Sequence, residues 1–142
     1  MITCQDFVLN YNELFKFLEE QHGVAEVEKL WAFIADNYFE GLKERIREKG
    51  LKGVSEYWME TFSEEGDLFR ILSGENSVQV IVDDCSSVRK LRNTPHVQGY
   101  PDYCRHCEVM YGRFFSSLGY DFKIEFVDKK LGKSKMTVST RR

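Results

Sequence analysis

A chain of 142 residues is about one domain long, and at that length folding buries roughly 68–70% of the unfolded surface without disulfides or a structural metal. The net charge of −3 is unevenly laid out: residues 1–70 hold 15 acidic and 8 basic side chains and residues 71–142 hold 8 and 12. The basic excess, including Lys129, Lys130, Lys133, Lys135, Arg141 and Arg142, is scattered over a predicted hairpin and the terminus, which argues against a nucleic-acid groove and for a lysine-guarded edge strand.

In chain order, residues 6–20 set Phe7, Tyr11, Leu14, Phe15 and Leu18 at helical spacing, with Gly23 as a stop. A second helix is predicted from about Val24 to Lys49, its apolar stripe formed by Val27, Leu30, Trp31, Ile34, Tyr38, Leu42 and Ile46. Ser55 is placed to cap a short third helix ending at Gly66. The period then changes to two: residues 67–73 and 77–83 read as a hairpin turned at Gly74-Glu75-Asn76. Two helical turns over 86–92 come next, then a loop with Pro95 and Pro101. A helix from Asp102, its expected N-cap, runs to Leu118 and Gly119. Residues 120–127 and 134–140 alternate as a second hairpin. One α+β domain over residues 1–142 fits, with a helical part (1–65) and a hairpin-helices-hairpin part (66–142), in the order α-α-α-β-β-α-α-β-β.

No apolar run reaches the roughly 18 residues of a membrane span. The opening Met1-Ile2-Thr3-Cys4-Gln5-Asp6 lacks a basic n-region and an apolar h-region, so a cytoplasmic protein with reduced thiols is expected.

Chemistry is hinted at in one place. Cys85, Cys104 and Cys107 fall within 23 residues, with His96 and His106 close in sequence. Thiolate and imidazole suit zinc, with iron and manganese as the other metals considered. On a helix beginning near Asp102, Cys104, Cys107, Glu108, Tyr111, Phe114, Phe115 and Leu118 share a broad face while His106 points elsewhere. Thiols in a first turn are expected to have lowered pKa values. If the strand ending at Cys85 packs beside that turn, three thiolates meet, with Glu108, His96 or water in the fourth position. Buried core cysteines and a redox pair are the competing readings. A single Cys-x-x-Cys is less specific than the two knuckles of a zinc ribbon. Elsewhere, Asp83 and Asp84 face opposite sides of a strand, Ser86-Ser87 has no nucleophile elbow, and His22 reads as a helix-end residue.

The order Asp84-Cys85, then Tyr103-Cys104-Arg105-His106-Cys107-Glu108, then Met110-Tyr111-Gly112-Arg113-Phe114-Phe115, then Leu118-Gly119-Tyr120-Asp121-Phe122 and a closing strand, resembles a group of small ligand-binding domains. These are the four-vinyl-reductase (predicted hydrocarbon-binding) domains, the L-2-amino-thiazoline-4-carboxylate hydrolases and the TRAPP small subunits. The resemblance covers roughly 40% of the chain. It implies a four-stranded antiparallel sheet packed against helices, an apolar ligand pocket and a homodimer through the helical side. Relatives that hold zinc do so through cysteines and a glutamate, which correspond here to Cys85, Cys104, Cys107 and Glu108. The implied pocket is rimmed by Tyr111, Phe114, Trp31 and Tyr38. The final strand lacks the cysteine many relatives carry near their end, and the opening helices show no family motif. The leading expectation is an apolar-small-molecule-binding domain beside a thiolate metal site. A metal-dependent ring or amide hydrolase and a protein-interaction module are the alternatives.

Overall fold

In the computed structural model, residues 4–142 are described. Helices α1 (Cys4–His22), α2 (Val24–Tyr38), α3 (Glu40–Lys49) and α4 (Leu51–Glu65) lead into strands β1 (Leu68–Ser73) and β2 (Ser77–Asp84). Helices α5 (Ser86–Arg92) and α6 (Arg105–Ser117) follow, then β3 (Tyr120–Asp128) and β4 (Lys133–Thr140). The element order is the expected one, with the long second helix bent at Phe39 into α2 and α3. Phe39 leaves helical geometry (φ −88°, ψ 26°), and its ring turns inward to lie 5.3 Å from Tyr111 and 5.1 Å from Phe114. Burying that ring is worth more than one unbroken turn of helix.

The next helix starts at Leu51, four residues ahead of its expected cap. Ser55 does not cap it; the hydroxyl donates to the Lys52 carbonyl at 2.9 Å from within the helix. α4 ends at Gly66, whose left-handed backbone (φ 77°) lets its N–H reach the Phe62 and Ser63 carbonyls.

All strand pairs are antiparallel, in the order β1-β2-β4-β3. Val78 pairs with Val138 and Val80 with Met136, so the last strand joins the two hairpins. Period-two alternation sends Val78, Val80, Val82, Met136 and Val138 to one face. There they pack with Trp58, Phe62, Tyr111, Phe114 and Phe115 from α4 and α6.

A second cluster joins α1 and α2 to the loop before α6: Val8, Phe15, Val27, Trp31, Tyr100 and Tyr103. Asn12 is wholly buried in it. Its amide donates to the Gln98 carbonyl at 2.9 Å, and its oxygen accepts the Tyr100 N–H at 2.7 Å. The loop is thereby fastened to α1, satisfying backbone groups that would otherwise be buried unpaired.

Candidate functional site

Three segments meet where the lower end of the sheet touches α5 and α6. Cys85 follows β2 directly, in extended conformation, and precedes α5. Its N–H donates to the Gly132 carbonyl in the β3–β4 turn at 3.1 Å. Gly132 has φ 67°, and a Cβ on it would stand 2.8 Å from the Cys85 Cβ and 3.0 Å from the Val88 Cβ. Gly132→Ala is therefore expected to cost about 2 kcal/mol, combining left-handed strain and overpacking, readable as a lowered urea midpoint.

The second segment is the turn before α6. Asp102 is exposed, and its main-chain carbonyl accepts the Arg105 N–H at 3.0 Å, so the helix opens at Arg105 and not at Asp102. His106 does not point away from the cysteines as expected. The imidazole folds back so that Nδ1 meets the Tyr103 carbonyl, and Nε2 lies 3.4 Å from the Cys107 sulfur. Glu108 is exposed instead, and so is His96 in the loop.

The third segment is the junction of α4 and β1. Asp67 is buried and accepts the N–H of Ser86 at the start of α5. Glu65 lies close enough for its charge to act on both His106 and Cys107.

Cys85, Cys104, Cys107, His106 and Asp67 line one partly open pocket of about 50 Å³, with apolar walls at Phe62, Val82, Ile124 and Met136. Asp128, whose carboxylate accepts the Lys130 and Leu131 N–H groups, and Ser134 also line it, as do two cationic residues, Lys129 and Lys133. Neither lysine has an ion-pair partner among the described residues, and the Lys129 ammonium rests 4.9 Å above the Phe126 ring. The sequence singled out the three cysteines. It missed Glu65, Asp67 and the role of His106, because these depend on where α4 and α6 stop and start.

The predicted pocket rim does not assemble. Trp31 is fully buried in the α1–α2 cluster, Tyr38 is 71% exposed, and Tyr111 and Phe114 are packed among core rings.

Burial sets the electrostatics. It pushes the Cys85 and Cys107 thiols up to about 12 and Cys104 to about 11, opposite to the expected lowering, because desolvation outweighs any stabilisation from the helix terminus. Burial also raises Glu65 to about 7, with the Asp67 charge adding to the effect, and lowers His106. At neutral pH the thiols and the imidazole are uncharged.

No family model, curated protein or solved structure matches this chain.

Three thiols and an imidazole are donor types that zinc takes. As placed, however, no three His, Cys, Asp or Glu side chains among the described residues surround a common point, and Cys107 is already hydrogen-bonded to His106. The donors fit zinc in kind and not in arrangement.

Proposed function

We propose that this chain is a small-molecule-binding domain whose ligand inserts an apolar group into the pocket between the β2–β4 face and the start of α6. The reading is carried by the convergence, in one pocket, of apolar walls, neutral thiol and imidazole groups and two ammonium groups without an ion-pair partner among the described residues, the Asp128 carboxylate nearby being taken up by two main-chain N–H groups. A site of about 50 Å³ accepts only a few atoms. The remainder of the ligand lies across Lys129 and Lys133, where a negative group is favoured. Two or three buried methylenes contribute about 2 kcal/mol, so binding of a simple ligand is weak, in the range of tens of millimolar.

Titration with short-chain carboxylates and the matching alcohols, followed by amide NMR, tests this. Expected are shifts at Val82, Cys85, Phe126 and Met136, with the acids tighter than the alcohols. Lys129→Gln with Lys133→Gln should remove that difference. Silence at these positions with both ligand types would defeat the reading.

The proposed partner, a second copy docked through the helical side, draws support from α1. Phe7, Tyr11, Leu14 and Phe17 are between 38% and 57% exposed there, on the side away from buried Val8, Asn12 and Phe15. Among the described residues, no helix is long and apolar enough to cross a membrane.

A further inference from the structure

The geometry points to Cys107 and His106 as a nucleophile and its general base, acting on a small acyl ester or thioester held in the pocket just proposed. Three observations build the pair. A carbonyl oxygen only accepts, so the contact of Nδ1 with Tyr103 O fixes the ring proton on Nδ1. Nε2 is then the lone-pair nitrogen, and the sulfur 3.4 Å away is the donor, S–H to Nε2. Both side chains line the same pocket, so a ligand atom there can meet the sulfur. Nucleophile, base and a fixed group orienting the base are the parts covalent acyl transfer needs. Here the orienting group is the Tyr103 main chain, held in place because the Tyr103 ring is buried beside Phe15 at 5.7 Å.

The pair is neutral at rest, so activation takes place during attack. As Cys107 Sγ bonds to the acyl carbon, its proton passes to His106 Nε2. The leaving oxygen or sulfur departs with its bonding electrons and takes that proton, leaving an acyl thioester on Cys107. Water attacks the thioester in the second half, giving its proton to Nε2. The acid leaves, and the thiol recovers the proton. One ester and one water become one acid and one alcohol or thiol, with no oxidant or metal required. The weak affinity expected of so small a pocket makes a covalent bond the effective means of retention. Cys85 and Cys104 line the pocket without an imidazole partner among the described residues, and are not nucleophiles.

The inference rests on the pocket reading, and one experiment separates the two. The full chain is treated with p-nitrophenyl acetate, p-nitrophenolate release is followed, and the acetylated residue is located by peptide mass. Expected is one acetyl group per chain, on Cys107, formed at least about 100-fold more slowly in His106→Gln. Circular dichroism melts of His106→Gln and Cys107→Ala show that the fold persists, and Cys107→Ala should take up no acetyl group. Acetylation at Cys104 or Cys85, or a rate indifferent to His106→Gln, overturns the dyad. So does an equivalent of zinc in the purified protein with Cys107 unreactive until it is chelated away. No reaction at all, neither adduct nor p-nitrophenolate release beyond the buffer rate, while short-chain acids still shift Val82 and Met136, overturns the dyad and leaves the binding pocket standing. Absence of both overturns both.

Discussion

Replacing Asn12 with alanine is expected to cost about 2–4 kcal/mol, because it leaves the Tyr100 N–H buried with no acceptor and removes the amide bonded to the Gln98 carbonyl. The Gln98 oxygen keeps the Lys16 ammonium at 3.2 Å, which holds the figure below the sum of two losses. Chemical denaturation measures the cost directly. The more telling consequence is local: hydrogen exchange should accelerate across residues 94–104, whose main chain at Gln98 and Tyr100 this side chain ties to α1, ahead of any change in the sheet. Because Tyr103 belongs to that loop and its carbonyl orients His106, acetylation of Cys107 should also slow, although Asn12 lies in a different cluster and touches neither residue of the pair. A variant as stable as the parent, with unchanged exchange in this loop, would show that the cluster of rings alone fixes the loop.

Glu65→Gln is expected to change stability in a pH-dependent way. Burial, aided by the Asp67 charge, holds the folded-state carboxyl near 7, against 4.5 for the ordinary side chain. A carboxyl raised in the fold binds its proton more tightly folded than unfolded, so the stabilisation is fully present below pH 4.5 and is lost as pH climbs toward 7. A shift of this size corresponds to on the order of 2–3 kcal/mol. Glutamine mimics the protonated acid and never ionises. The variant should match the parent below pH 4.5 and exceed it by that amount above pH 7, as read from urea melts across the range. A parallel pair of pH–stability curves would mean that solvent relieves the carboxyl and that Glu65 does not feel its buried neighbours.

How much could be read from residues alone differs by element. The hairpin strands were legible because a half-buried sheet writes its burial directly into alternation, as at Val78, Val80 and Val82. α5 was bounded correctly at 86–92, since Cys85 at its start remains extended and Asn93 closes it. The bend at Phe39 was not legible. Helical periodicity continues straight through it, and its cause is a set of rings brought from α6, more than 70 residues away. The same holds for the site. Cys85, Cys104 and Cys107 were found from spacing and do line one pocket. Glu108 was placed on the cysteine face and His106 off it; in the structure Glu108 is exposed, while the His106 ring folds back onto the Tyr103 carbonyl and toward Cys107, a side-chain choice that helix periodicity does not encode. Asp67 carried no signal at all, because its meaning lies in capping a helix that begins 19 residues later.

The interleaved strand order has a consequence for how the molecule is made. With β4 lying between β2 and β3, the two hairpins share no edge until residues 133–140 slot in as the central splice. A nascent chain that has emerged only through Asp128 therefore offers β2 as an unpaired apolar edge, and β3 as a lone strand with nothing to pair to. Consolidation must wait for the final ladder, which is non-local and slow to form. Synthesis stalled in the β3–β4 turn would yield a sticky half-sheet, so the interval between residues 128 and 140 is where this protein depends most on protection from its neighbours.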